Sequence, residues 1–307
     1  MTLSKSFSSP VVPKAALAST CALFPTLQCE QFAERGCKVY ATARKVEKMQ
    51  GFTVRSEIEP LALDVTSDED VQRVVESIVA REGKIDILVN NAGVGCYGPV
   101  LEVPLEQVKN VFDANTFSIL RVSRAVVPHM ASHRQGLIVN IGSIVGEMYA
   151  SIASYEVVRP ANRDTCFSPT PWAGIYAASK AATHALTEVL SMECRPFNIR
   201  VCLVAPGGVR SNIASSAMPV FKLPPDTLYA QFLDNIVARM WSSQSPRTMS
   251  TAVFARKVVT KALAREPPFY YSLGYNSTLF QFLKWLPRTW VMWALWRSLA
   301  STKAGAK

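Results

Sequence analysis

The sequence predicts an α/β protein on a doubly wound parallel sheet, in three α/β/α layers, and three observations carry that reading. Short apolar runs bounded by turn residues alternate with stretches of helical period along most of the chain. The apolar runs are continuous rather than alternating, as strands covered on both faces are. The 307 residues suffice for one large domain or two small ones with a full core.

In chain order, Lys38–Ala43 reads as a strand and Leu61–Asp64 as another. Ser67 to Asp70 has capping-box spacing ahead of Val71, Val74, Val75, Ile78 and Val79, which share one helix face. Ile85–Asn90 is a strand that stops at the turn-forming Asn91–Gly93. Leu105–Met130 predicts a helix with a break near Pro128. Gly136–Gly142 follows as a strand, Ala173–Glu193 as a long helix and Arg200–Ala205 as a further strand. Two segments break the rhythm. Residues 1–28 show no strand–turn–helix signal, and the first glycine of the chain is Gly36. Residues 148–167 form a long polar stretch where a connection of roughly 2–6 residues is usual.

The net charge of +10 is unevenly placed. Lys5 and Lys14 face no acid within 1–28, and Lys284, Arg288, Arg297, Lys303 and Lys307 follow Glu266, the last acidic residue. The middle is nearly balanced and has no basic cluster, which argues against nucleic acid as a partner. Leu279–Trp296 combines Trp285, Trp290, Trp293 and Trp296 with basic residues and Pro287. Its charges and length do not suit a spanning helix. Aromatics with Lys and Arg suit the headgroup boundary of a membrane or lipid droplet. A helix closing a substrate pocket or a subunit interface uses tryptophan equally well. The seven cysteines form no CxxC and the three histidines are scattered, so a reduced intracellular chain without a metal site is expected.

Tyr176 and Lys180 stand at i,i+4 near the start of the long helix, on one face. An ammonium beside a phenol favours the phenolate, so Lys180 is expected to lower the Tyr176 pKa and make it a proton donor and acceptor. Asn90-Asn91-Ala92-Gly93, Asn140-Ile141-Gly142-Ser143 and Pro206-Gly207-Gly208 each end a predicted strand. In open parallel sheets ligands bind outside those carboxyl ends, so these groups converge on one rim. After the strand Lys38–Ala43 come Arg44 and Lys45 and no acid. A carboxylate there would bond the ribose of NAD, whereas an arginine accommodates the 2′-phosphate of NADP(H).

These motifs resemble the short-chain dehydrogenase/reductase family from about Gln31 to the mid-270s. The resemblance implies one Rossmann-type domain moving hydride between a nicotinamide and a carbonyl or alcohol. It implies Tyr176 as catalytic acid/base, Lys180 as the group that lowers its pKa and bonds the nicotinamide ribose, and Ser143 as the residue polarising the carbonyl. Asn115 would hold a proton-relay water. Asn90, Asn91 and Gly93 would flank the cofactor, Asp64 and Val65 the adenine, and Pro206–Val209 the carboxamide. Cys37–Arg44, Thr170–Tyr176 and the aromatic, basic C-terminus are most similar to fungal NADPH-dependent 1-acyldihydroxyacetone-phosphate reductases. That likeness implies a lipid-like ketone substrate, reduction to lysophosphatidic acid, and a peripheral, cytosol-facing place on endoplasmic reticulum or lipid droplets. Steroid- and retinol-type reductases share most of the motifs, and family members commonly form homo-oligomers.

The chain departs from the family twice. The glycine-rich turn after the first strand is missing, which leaves the first strand itself in doubt, and a silent member acting as a lipid-surface or partner-binding module stands as the alternative reading. Ser143 and Tyr176 are also further apart than the resemblance implies, the excess coinciding with 148–167. The expected organisation is an atypical segment 1–28, a reductase domain 29–275 with the insertion 148–167, and a membrane-associating tail 276–307.

Overall fold

Small residues build the strand on which the sheet turns. In the computed structural model, which describes residues 15–19, 25–49, 56–149, 166–167, 170–283 and 286–300, Ala15–Ser19 forms β1. It pairs in parallel with β2 (Lys38–Ala43) on one side and with β4 (Ile87–Asn90) on the other. The doubt over a first strand is therefore overturned. Its Ala-Ala-Leu-Ala-Ser run carries little strand propensity, yet Ala15 and Ala16 are buried. Tertiary pairing also supplies what propensity lacks. The Ala15 amide donates to Asp86 Oδ2 at 2.9 Å, and the Asp86 amide returns a 2.9 Å bond to the Ala15 carbonyl.

The remaining strands are β3 (Ile58–Ala62), β5 (Gly136–Ile141), the short β6 (Met148–Tyr149) and β7 (Cys166–Phe167), β8 (Ile199–Pro206) and β9 (Tyr270–Leu273). The main sheet runs β3-β2-β1-β4-β5-β8-β9 with every neighbour parallel. Strand order reverses between β1 and β4, which opens a crevice at their carboxyl ends. The strand expected at Leu61–Asp64 begins earlier, at Ile58, and Asp64 lies past its end. Pro60 cannot donate to a ladder, and β3 is accordingly an edge strand.

The helices are α1 (Pro25–Ala33), α2 (Asp68–Glu82), α3 (Leu105–Phe112), α4 (Ser118–Ser132), α5 (Gly174–Glu193), α6 (Ile213–Ala217), α7 (Leu233–Trp241), α8 (Thr251–Ala262), α9 (Ser277–Leu283) and α10 (Arg288–Ala300). Ser67 caps α2 by accepting from the Asp70 amide at 3.2 Å, and Val71, Val74, Val75 and Ile78 are buried as the periodicity predicts. Alternate strand side chains feed two cores. Tyr40, Leu88, Ile138 and Val201 pack with α2 and α4 on one face. Val39, Val89, Val139 and Val204 pack with α1 and α8 on the other. Pro128 does not break its helix. It lies inside α4, and the irregularity is a π-helical turn at Asp113–Phe117 between α3 and α4.

The ends of the insertion pair with each other, Met148 with Phe167 and Tyr149 with Cys166, in an antiparallel two-stranded ladder. Its interior, 150–165, lies outside the described residues, as do 1–14, the connection 20–24, Lys284, Trp285 and 301–307. Because Asp86 ties the amino end of β1 to that of β4, Asp86→Ala is expected to cost about 1–3 kcal/mol. Urea unfolding measures the loss, and amide exchange across 15–19 should rise selectively.

Candidate active site

The carboxyl rim of the sheet holds two cavities. The first, about 350 Å³, is lined by Arg44 beyond β2, Asp64 and Val65 beyond β3, and Ala92 and Gly93 beyond β4. Asp64 is held in a local turn, its Oδ1 accepting from the Thr66 amide at 2.9 Å and from Thr66 Oγ1 at 2.7 Å. Asn91, next to the cavity-lining Ala92, is buried with neither Oδ1 nor Nδ2 partnered. A buried amide left without bonds is costly unless a ligand satisfies it. With Arg44, Asp64 and Gly93 in its wall, the cavity fits the adenosine half of a dinucleotide. Asn90 has a structural part instead. Its Nδ2 donates to Asn140 Oδ1 at 2.9 Å, and Asn140 passes a 3.0 Å bond to Thr187 on α5. The connection from β1 to α1, Thr20-Cys21-Ala22-Leu23-Phe24, contains no glycine and lies outside the described residues.

The second cavity, about 310 Å³, lies beyond β5, β8 and β9 and is lined by Ser143, Tyr176, Pro206, Gly207, Val209 and Arg239, among others. Ser143 lies two residues past β5 and Tyr176 sits in the first turn of α5, so a strand end and a helix start bring both residues to the wall of this cavity. The Ser143 amide donates to His184 Nε2 at 3.2 Å, one turn beyond Lys180 on the same helix. Gly207 admits no side chain, since a Cβ would come within 2.3 Å of the Tyr275 carbonyl.

Lys180 differs from expectation. Its side chain is buried, and Nζ donates to the Ile141 carbonyl at 2.8 Å. Burial pushes its pKa down to about 8. Tyr176 moves the opposite way. Burial raises its pKa above the ordinary phenol value, and neighbouring Tyr97 adds to the rise. What pulls it back is the Ser143 hydroxyl beside it and the positive charge of Arg239. Desolvation is the largest cause at both residues, and the Lys180 ammonium is directed at the Ile141 carbonyl.

Asn115 sits in the π-helical turn and clamps rather than faces a cavity. Its Oδ1 accepts from the Val94 amide at 2.7 Å, and Nδ2 donates to the Val94 carbonyl at 3.0 Å and to Ser179 Oγ at 2.9 Å. Both amide hydrogens are thereby used, so its side chain joins the rim of β4 to α5.

The C-terminal helices close the second cavity. Leu279 and Leu283 of α9 and Leu295 and Leu299 of α10 line it. The anchor is Trp172, buried at a left-handed φ of 68°, a conformation that costs a non-glycine residue roughly 1–2 kcal/mol. Its indole donates to the Leu299 carbonyl at 3.0 Å, and its ring packs 5.2 Å from Phe232 and 6.0 Å from Trp296. Four residues before Tyr176, this tryptophan links the tail to the catalytic helix. The tryptophans of the tail allowed a pocket-closing helix without showing that Trp172 anchors it. Arg239 and His184 carried no motif by which sequence reasoning would have found them, and Thr170 stood in the segment Thr170–Tyr176 with no role assigned to it.

A family model described as short chain dehydrogenase matches residues 26–156 and 164–219. The chain belongs to the short-chain dehydrogenase family. It is 33% identical over 258 residues to the short-chain dehydrogenase PC-15 of Penicillium crustosum, covering 84% of this chain and 85% of that one. It is 32% identical over 204 residues to the NADPH-dependent 1-acyldihydroxyacetone phosphate reductase of Schizosaccharomyces pombe, covering 65% and 61%. A short-chain dehydrogenase structure from Streptomyces avermitilis superposes with a TM-score of 0.73 at 24% identity, over 96% of this chain and 99% of that one. The chain is thus an NAD(P)-dependent oxidoreductase on a Rossmann-type fold.

Lys180 makes a pH signature. A folded pKa of about 8 against an unfolded value of 10.5 means the unfolded chain binds more protons between those limits. Stability contributed at this site therefore rises as pH climbs from 8 to 10.5, by on the order of 3 kcal/mol. Urea titrations across that range should show wild type gaining on Lys180→Met. Parallel curves for the two proteins would refute a depressed lysine.

Proposed function

We propose that this chain reduces the ketone of a lipid-like substrate with NADPH, most simply 1-acyl-dihydroxyacetone phosphate to lysophosphatidic acid. The observation that carries the reading is the Ser143–Tyr176 hydroxyl pair at the inner end of a cavity whose outer wall is apolar. The cofactor, when bound, supplies hydride to the carbonyl carbon. Tyr176 Oη supplies the proton to the carbonyl oxygen, and its raised pKa keeps that proton in place at neutral pH. The Ser143 hydroxyl orients the same oxygen. Lys180 holds the ends of β5 and α5 together beneath the pair.

Preference for NADPH rests on Arg44 at the adenosine cavity, with no carboxylate following β2 in its place. The likeness to the Schizosaccharomyces reductase and the leucines of α9 and α10 support an acyl chain in the second cavity. Fluorescence titration is expected to show tighter binding of NADPH than of NADH. Tyr176→Phe is expected to keep that binding and to lose about 10²–10⁴-fold in kcat. Full turnover in the variant would remove Tyr176 as the acid.

The reading extends to a peripheral site on the endoplasmic reticulum or a lipid droplet. No helix among the described residues is long and apolar enough to cross a membrane. The outer face of α10 exposes Trp290 at 68% and Trp293 at 61%, with Arg297 stacked 4.9 Å from the Trp293 ring. Such a face suits an anionic headgroup layer. Flotation with phosphatidylserine vesicles is expected for wild type and reduced several-fold for Trp290→Ala/Trp293→Ala. Equal flotation of the two would exclude this face as the contact.

A further inference from the structure

Beyond Tyr176 the second cavity divides by chemistry. One side is built from leucines of α9 and α10, while the other carries Arg239 of α7 with Thr170 and Ser242. Among the described residues, Arg239 is the one charged side chain lining this cavity. Its Nη1 donates to Ser242 Oγ at 2.9 Å and its Nη2 to Thr170 Oγ1 at 3.2 Å. Nε is buried and donates to nothing.

A guanidinium offers five donors in a planar fork that matches a phosphate or carboxylate. Here its partners are two neutral hydroxyls, which fix its orientation and leave its charge uncompensated. None of the ion pairs among the described residues involves it. Desolvation works against the charged form, and the tyrosines Tyr97 and Tyr176 work for it. The guanidinium is half-buried with Nε shut off from solvent, and a partly desolvated cation without a counter-ion in the wall of this cavity is a place for an anion from outside the chain. The same positive charge bears on Tyr176, which puts the guanidinium within electrostatic reach of the reacting oxygen.

We infer that Arg239 receives the oxyanion of the substrate, a phosphate or a carboxylate carried by a carbonyl compound with an apolar chain, and thereby selects which ketone is presented to Tyr176. The inference rests on the ketone-reductase reading only in calling that ligand a substrate. Arg239 is then the specificity-determining residue of the cavity. Thr170 and Ser242 hold its fork open, and the α9–α10 leucines take the chain.

Tryptophan fluorescence, with Trp172 beside the cavity, can follow binding of decyl phosphate, decanoate and decanol to the full chain. Wild type is expected to bind one or both anions roughly ten- to hundredfold more tightly than decanol. The ratio between the two anions assigns phosphate or carboxylate as the recognised group. Arg239→Gln is expected to collapse the anion-to-alcohol ratio to near one, and Arg239→Lys to keep part of it as a point charge. Equal affinity for all three ligands in wild type overturns the inference, as does an undiminished ratio in Arg239→Gln. If that variant fails to fold, the wild-type ratio and Arg239→Lys still decide. Reduction assays separate the two claims. NADPH-dependent reduction without preference for anionic ketones leaves the reductase reading standing and removes the role of Arg239. Anion-selective binding without reduction of any ketone does the reverse.

Discussion

Everything at the candidate site depends on how α5 is seated against the end of β5. Lys180 Nζ bonds the Ile141 carbonyl, His184 takes the Ser143 amide, and Gly146 lies where any Cβ would come within 2.5 Å of the Lys180 backbone. These contacts lock the register of a helix relative to a strand end. A one-residue slip along α5 would turn Tyr176 by about 100° away from Ser143, since a helix makes 3.6 residues per turn. The second anchor comes from the opposite side, where Asn115 joins the Val94 backbone to Ser179 on α5. The π-helical turn around Asn115 is a local irregularity in the service of that clamp.

The electrostatics follow from the same seating. Drawing α5 inward buries Lys180 and Tyr176 together, and burial moves their pKa values in opposite directions, each toward its neutral form. Tyr176 is thereby kept as a proton donor. Arg239, brought to the same cavity by α7, is the positive charge that leans against the tyrosine. A cation in the wall and an apolar helix pair closing it give the cavity an amphiphilic lining. The tail that builds the apolar wall turns one face inward on Trp172 and leaves Trp290 and Trp293 outward.

Much of this was legible in order along the chain. Val71, Val74, Val75 and Ile78 announce α2 because a helix with one buried face must repeat its apolar residues at that period. Asn91–Gly93, Ser143 and Pro206–Gly208 mark strand ends because backbone turns need such residues where ladders stop. β1 was not legible, since Ala-Ala-Leu-Ala-Ser has neither branching nor alternation, and only its position between β2 and β4 makes it a strand. The irregular turn was expected at Pro128, whereas α4 tolerates that proline and distorts instead at Asn115, where a side chain from the helix bonds a distant backbone.

By itself the sequence determined the alternating strand and helix order, the rim on which Ser143 and Tyr176 meet, and the basic residue following β2. These are local matters of period, turn chemistry and charge, which act over a few residues. The tertiary structure alone decided that residues 15–19 are an inner strand of the sheet, that Lys180 is buried against the Ile141 carbonyl, and that α10 covers the cavity through Trp172. It alone brought Arg239 beside Tyr176. Desolvation and long-range pairing depend on what the whole chain places around a group, and neighbours in sequence carry no record of that.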